Sequence, residues 1–223
     1  TASAMSWLPA SGQTWVGAAA SFLGMWTLMM AAMMLPSLIP MLSRYRRSAG
    51  RAGAFASALL TVPAAAGYLL IWTLLGAAVY PLGAAIAAAT MRHLALARAM
   101  PVAIGLVVLT AGALQLTRWK AHHLACCRGR SCQSLRDDPG SRAGPLTALR
   151  HGMRLGLHCC QCCAGLTAVL LVSGIMDVSA MVGVTVCITL ERLASAGERL
   201  ARAIGVVMIA AGTFLTLRAG GLV

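Results

Sequence analysis

The sequence has 223 residues, of which 59% are hydrophobic and 10% are charged, with a formal net charge of +13 and a mean hydropathy of +0.80. A soluble domain carries about 25% charged residues, because charged side chains cover its surface in water. This composition excludes an ordinary soluble domain. It predicts an all-α, polytopic transmembrane helix bundle that forms a single integral membrane domain over residues 1–223.

Long stretches without Asp, Glu, Lys or Arg cover residues 15–43, 52–91, 99–117 and 155–176. A helix of about 20 apolar residues crosses the hydrocarbon core of a bilayer, and each of these stretches is long enough to do so. We therefore predict about six membrane helices, at residues 15–42, 54–80, 100–118, 152–175, 177–194 and 201–218. The fifth follows a very short connection and ends near Glu191 and Arg192.

The first predicted helix carries a stripe of methionines. Met25, Met29 and Met33 recur at intervals of four residues and share one helical face, with Met30 and Met34 beside them. Thioethers are soft ligands for copper(I), and they are also flexible packing groups that fill irregular gaps. We count Met29 and Met33 as candidate metal ligands, with packing as the alternative interpretation.

The segment between the third and fourth predicted helices, residues 119–151, is a basic loop rich in Cys and His. Its first part contains His122, His123, Cys126 and Cys127. Thiols on the cytoplasmic side of a membrane stay reduced, and clustered Cys and His residues there indicate metal or redox chemistry more often than disulfides. His123, Cys126 and Cys127 are therefore candidate metal ligands.

A second block of cysteines opens the fourth predicted helix. Cys159 precedes Cys162 and Cys163 by three and four residues, so the three thiols share one face, with His158 next to them. Together with ligands from the loop, these side chains could converge on one ion. Thiolate and imidazole suit copper(I), with zinc or iron as alternatives, rather than magnesium or calcium.

Ionisable residues interrupt the apolar sequence near the fifth predicted helix. Charged groups inside a membrane are costly and are usually paired or functional. We place Asp177 in a solvated turn and interpret Glu191 and Arg192 as the cytoplasmic end of this helix. Lys120, after the third helix, is expected to extend to the cytoplasmic interface.

The third and sixth predicted helices resemble each other. Residues 103–118 and 203–218 are identical at seven of sixteen positions without a gap. A three-plus-three repeat would relate these two helices, and an odd number of helices per repeat inverts the second copy in the membrane. The same scheme relates the methionine doublets of the first helix to the cysteine doublets of the fourth.

Most of the 18 Lys and Arg residues lie in the loops that follow the first, third and fifth predicted helices. Basic residues accumulate on the cytoplasmic side of a membrane, which predicts that these loops, including the Cys-rich one, are cytoplasmic and that both termini lie outside. No basic surface interleaved with aromatic residues accompanies the charge, so we do not expect nucleic-acid binding.

The sequence also resembles the bacterial family of predicted metal-binding integral membrane proteins, whose function is uncharacterised. The resemblance extends over roughly residues 26–191 and departs from the family at His123, Gln161, Ala164, Asp177 and Arg192, where the family usually has Cys, Gly, Trp, Asn and Lys. It implies metal binding and a location in the bacterial cytoplasmic membrane. The residues that carry it include Trp26, Met29, Met33, Met34, Pro36, Gln115, Lys120, Cys127, Gly152, Gly156, Cys159, Cys162, Cys163 and Glu191.

Three functions agree with these features. The first is binding or transport of a soft metal, with copper(I) as the preferred ion, in the lipid bilayer and with a metallochaperone as a partner. The second is a non-catalytic accessory subunit of a larger membrane complex. The third is a thiol–disulfide relay across the membrane, which the methionines of the first helix weaken. No nucleophile–base pair, phosphate-binding loop or paired catalytic carboxylates occur, so we do not expect an enzyme.

Overall fold

The computed structural model describes residues 14–49, 54–127, 144–174, 177–194 and 196–221, without the side chains of residues 35–49, 54–60 and 126. These residues form seven α-helices, and no strand occurs among them, which confirms the predicted all-α fold. The helices are α1 (Trp15–Ala49), α2 (Ala54–Arg92), α3 (Leu94–Gln115), α4 (Arg118–Cys127), α5 (Pro145–Ser173), α6 (Val178–Leu193) and α7 (Gly197–Ala219).

Five helices, α1, α2, α3, α5 and α7, contain stretches that are long and apolar enough to cross a membrane. The fifth predicted helix is present as α6, which has 16 residues. At 1.5 Å per residue this is about 24 Å, less than the roughly 30 Å of a hydrocarbon core. The predicted sidedness of the loops and termini stays a prediction.

The outer surface of the long helices is apolar. Each exposes large aliphatic side chains, among them Leu28 (74%), Val62 (68%), Leu106 (50%), Leu157 (51%) and Val207 (67%). Soluble monomers rarely expose apolar patches that continue over so many elements, because contact with water is unfavourable. This surface is compatible with contact with lipid.

Helices α3 and α7 pack closely against each other through glycines. A Cβ atom on Gly112 would lie 2.8 Å from the carbonyl oxygen of Gly205, and one on Gly212 would lie 2.9 Å from that of Gly105. Small residues let helix backbones approach closely in membrane proteins. The contacts are reciprocal: Gly105 faces Gly212 and Gly112 faces Gly205, as a two-fold relation between residues 103–118 and 203–218 would require. The repeat of the remaining helices stays a prediction.

Helices α2 and α5 form the second close pair. A Cβ atom on Gly152 of α5 would clash with the backbone of Ala64, and one on Gly67 of α2 would clash with that of Leu149. This contact is possible because α5 begins at Pro145, seven residues before the predicted start, within the segment predicted as a loop. Residues 119–127 of that segment belong to α4, which begins at Arg118, and residues 128–143 lie outside the described residues.

The core lies between α1, α2 and α5. Trp26 of α1 is fully buried, and its Nε1 donates a hydrogen bond of 2.9 Å to the backbone oxygen of Trp72 in α2. The buried face of α1 continues as Met29, Met30, Met33 and Met34. The methionine stripe therefore faces the interior, toward the cysteines of α5.

Candidate metal centre

Four thiols from two helices meet in the core. Cys159, Cys162 and Cys163 lie on the buried face of α5 with exposures of 0%, 2% and 2%, and Cys127 of α4 is also buried. Side-chain hydrogen bonds join Cys127 to Cys162 and join Cys163 to both Cys159 and Cys162. The helical spacing predicted the shared face of the α5 thiols, and the addition of Cys127 brings loop and helix ligands together.

Cys159 lies at the meeting point of four helices. Its Sγ is 3.0 Å from the hydroxyl of Tyr68 in α2 and accepts a hydrogen bond of 3.0 Å from Nη2 of Arg192 in α6. The sulfur of Met34 in α1 lies 3.9 Å away. A thiolate at this position is stabilised by two donors, the Tyr68 hydroxyl and the cationic Arg192, and the thiolate is the form of cysteine that binds metals.

Arg192 contacts two of the thiols. Its Nη2 donates to Sγ of Cys159 at 3.0 Å and to Sγ of Cys163 at 3.1 Å, and the residue is 8% exposed. Our interpretation of Arg192 as a surface helix end was therefore wrong. Residue 192 falls on the inner face of α6, one turn beyond the buried Ile188, so the side chain enters the core.

A second polar network lies beside the thiols. Nζ of Lys120 is 2.7 Å from Oε2 of Glu191, and both side chains are buried. Lys120 also donates to the backbone oxygen of Cys162 at 2.6 Å, and Nε2 of Gln115 donates to Oε1 of Glu191 at 2.7 Å. The predictions that Lys120 extends to the interface and that Glu191 lies at the surface were wrong, because α4 folds against α5 and α6 and the two charges compensate each other inside. Asp177 is exposed as predicted, and its carboxylate caps the N-terminus of α6.

Histidines lie at the outer edge of the thiol cluster. The ring centroids of His123 in α4 and His158 in α5 are 5.9 Å apart, and the Cys127 thiol donates to the backbone oxygen of His158 at 3.6 Å. Both Nδ1 atoms are buried and lack a hydrogen-bond partner in the described part of the chain. Buried polar atoms are normally paired, so these two nitrogens are available to a ligand.

The electrostatic environment sets the protonation of the α4 side chains. Burial, together with the nearby imidazoles of His158 and His122, lowers the pKa of His123, which favours the neutral, ligating form. A hydrogen bond with Cys162 and burial raise the pKa of the Cys127 thiol well above its ordinary value. Burial opposes the charge of Lys120, but the neighbouring Cys162 and Glu191 raise its pKa, so it remains a cation.

The structure brings together most of the residues predicted as ligands. Cys127, Cys159, Cys162 and Cys163 adjoin one another, with His123 and His158 at the edge, whereas the side chain of Cys126 lies outside the described residues. Met29 and Met33 are buried in the same core, but Met34 is the stripe member that contacts Cys159. No group of three or more His, Cys, Asp or Glu side chains in the described residues has the arrangement of a preformed metal site.

Sequence reasoning gave too little weight to four residues of this centre. Tyr68 and Arg192 contact the thiols, and Gln115 contacts the ion pair that Glu191 forms. Only the two charged residues carried a physical signal, and Gln115 was named only as part of the family resemblance. That signal was the presence of ionisable groups in an apolar segment, which marks functional sites in membrane helices. Tyr68 carried no signal in the sequence, and only the packing reveals what Tyr68 and Gln115 contact.

The fold and this centre define an all-helical protein with membrane-length helices around a buried cluster of cysteine and methionine side chains. A family model described as a copper chaperone, PpoB2, matches residues 23–215, and the chain belongs to this family. The match supports the copper-related function that the soft Cys, His and Met side chains predicted. No curated protein and no solved structure matches the chain.

Proposed function

We infer that this protein binds copper(I) as cargo within a membrane, at the thiols of α5, and passes it to a partner. The observation that carries this proposal is the convergence of Cys159, Cys163 and Met34 in a fully buried position. Thiolate and thioether ligands favour copper(I) over harder ions. The family's description as a copper chaperone agrees with that ligand set.

The residues present fit copper(I) chemically. Cys159 and Cys163 supply the thiolates, Met34 supplies a thioether, and Cys162 and Cys127 lie close enough to exchange places with them. Burial excludes water and oxidants from the sulfur atoms, which otherwise oxidise in proportion to their exposure. The arrangement is suited to holding a soft ion and releasing it, rather than to catalysis.

The histidines provide an outer position for the cargo. His123 and His158 present two buried, unpartnered nitrogens next to Cys127, which in turn contacts Cys162. An ion bound first by imidazole can move inward by exchanging one ligand at a time. The donor in this proposal is a metallochaperone that approaches α4, and the predicted cytoplasmic location of α4 agrees with such a donor.

Elemental analysis of the protein purified in mild detergent under reducing conditions tests the proposal. We expect near-stoichiometric copper in the wild type after loading with copper(I), and its loss in Cys159→Ser/Cys163→Ser. The matched control is Cys187→Ser, which changes a half-buried thiol of α6 outside the cluster of four thiols. The proposal would be contradicted if the wild type retains no copper although its thiols are reduced. It would also be contradicted if the wild type, the double variant and the control retain equal copper.

The alternatives make different predictions in the same preparation. A thiol–disulfide relay needs thiols that a partner can reach, but Cys159 and Cys163 have exposures of 0% and 2%, and thiol exchange depends on access. An accessory subunit would instead co-purify in fixed ratio with other membrane proteins and would not need metal. An accessory subunit does not account for the placement of Arg192 against two thiols.

A further inference from the structure

Arg192 is a buried cation whose partners are thiols instead of a carboxylate. Its neighbour Glu191 is already paired with Lys120 at 2.7 Å, and that pair is electrically neutral. The guanidinium therefore faces Cys159 and Cys163 with one positive charge, and its Nε has no hydrogen-bond partner among the described residues. An uncompensated charge at this depth is strongly unfavourable.

The charge of the centre then depends on the ion it holds. With Cys127 and Cys162 protonated, the thiolates of Cys159 and Cys163 carry two negative charges, and Arg192 contributes one positive charge. A monovalent ion bound between Cys159 and Cys163 makes the total zero, whereas a divalent ion leaves one positive charge buried. In a low-dielectric interior this difference is large, because water cannot screen it.

We propose that Arg192 is a specificity-determining residue that makes the centre selective for monovalent soft ions over divalent ions such as zinc or cadmium. This inference rests on the proposed function and adds to it the charge of the accepted ion. Arg192 acts in two ways. Its fixed charge sets the total, and its Nη2, shared between two sulfurs at 3.0 and 3.1 Å, holds both thiolates toward the same point.

Thiolates bind zinc and cadmium readily in other proteins, so sulfur chemistry alone does not provide this selectivity. Arginine keeps its proton under all ordinary conditions and cannot relieve the excess charge by losing it. A lysine at the same position would preserve the charge but offer a single ammonium in place of the planar fork. Substitution can therefore separate the effect of the positive charge of Arg192, which R192Q removes, from the effect of the guanidinium geometry, which R192K alone changes.

The test measures how silver(I), a redox-inert monovalent probe, competes with cadmium(II) for the thiols. Bound cadmium(II) is followed by its thiolate charge-transfer absorption. Wild type, R192Q, R192K and the surface control R199Q are compared in detergent after gel filtration. Arg199 is exposed on α7, so R199Q changes the net charge by the same amount away from the centre. We expect R192Q to lower the silver-to-cadmium affinity ratio by about 10- to 100-fold, and R192K and R199Q to change it by less than about threefold.

The outcomes separate the two proposals. A ratio in folded R192Q equal to that of R199Q would overturn the role of Arg192 and leave copper binding intact. If R192Q does not fold, R192K decides, since loss of selectivity with the charge retained would overturn the charge argument. Wild type that binds cadmium(II) at Cys159 and Cys163 as tightly as silver(I) would overturn it as well. Wild type that binds neither silver(I) nor copper(I) would overturn the proposed function itself.

Discussion

The buried pair of Lys120 and Glu191 gives the most quantitative prediction for stability. In Glu191→Gln the ammonium of Lys120 would lose its carboxylate partner at 2.7 Å and keep the backbone oxygen of Cys162 as an acceptor. Both side chains are at most 4% exposed, so water cannot replace the lost charge. Removing one partner of a buried ion pair costs about 3–5 kcal/mol. With about 2–4 °C per kcal/mol for a chain of this size, the melting temperature should fall by roughly 6–20 °C.

The assay is thermal unfolding in detergent, followed by the loss of the monodisperse gel-filtration peak after heating. Glu198→Gln is the matched control, because Glu198 is exposed in the first turn of α7. Its carboxylate interacts favourably with the helix dipole, which is worth about 1 kcal/mol or less. The double variant Lys120→Met/Glu191→Gln removes both charges and should recover most of the loss, since a neutral pair leaves no unpaired buried charge.

Two results would refute this reasoning. If Glu191→Gln and Glu198→Gln lower the melting temperature equally, the Lys120–Glu191 pair is not buried as the structure shows. If the double variant is less stable than Glu191→Gln alone, the cost arises from lost packing of Lys120 and not from an unpaired ammonium. Both results can be read from the same set of melting curves.

Three further predictions concern the thioether, the close helix pair and the tyrosine. Met34→Leu should weaken copper(I) binding, measured by competition with a chelator, by about tenfold. The change conserves volume, so it should cost less than about 1.5 kcal/mol of stability. Met29→Leu is the control and should leave copper(I) binding unchanged in the same competition. Gly112→Ala should lower the melting temperature because its Cβ would lie 2.8 Å from the Gly205 oxygen, whereas Gly183→Ala on α6, with nothing within 4 Å, should raise or preserve it. Tyr68→Phe should weaken copper(I) binding by roughly 5- to 10-fold in that competition, because Sγ of Cys159 loses a hydroxyl at 3.0 Å, and unchanged affinity would show that Tyr68 does not support the thiolate.

The sequence predicted the helices well where apolar length decides the structure. The uncharged stretches correspond to α1, α2, α3 and α5, and the similar segments 103–118 and 203–218 are the two helices that pack through glycines. The boundaries were less accurate. Helix α2 continues through Pro81 to Arg92 because a proline within a membrane-type helix is tolerated when neighbouring groups satisfy the freed carbonyl.

The candidate centre could be predicted only in part. The spacing of Cys159, Cys162 and Cys163 defines a shared face on any helix, so their convergence followed from local geometry. The positions of Lys120 and Glu191 depend on how α4 and α6 fold against α5, and nothing local in the sequence determines that packing. A charged residue near the end of an apolar segment has the same local pattern whether it reaches water or turns inward.

The division of roles among the helices explains why those charges lie inside. The long helices α1, α2 and α5 contribute sulfur and a hydroxyl through Met34, Tyr68 and Cys159, which a membrane helix carries at little cost. The short helices α4 and α6 contribute the ionic groups, and their buried faces place these groups against one another instead of against lipid. Arg192 follows Glu191 directly in the chain, so the ion pair with Lys120 also fixes the position of the guanidinium at the thiols. A ligand that binds only when the Arg192 guanidinium contacts the thiols must stabilise the packing of α6 against α4 and α5. The reason is that binding to one conformation shifts the equilibrium toward that conformation. The copper binding proposed above would therefore be coupled to the packing of α4 and α6. We expect loss of Glu191 to weaken copper affinity in the chelator competition, although Glu191 itself contacts no thiol in the described structure.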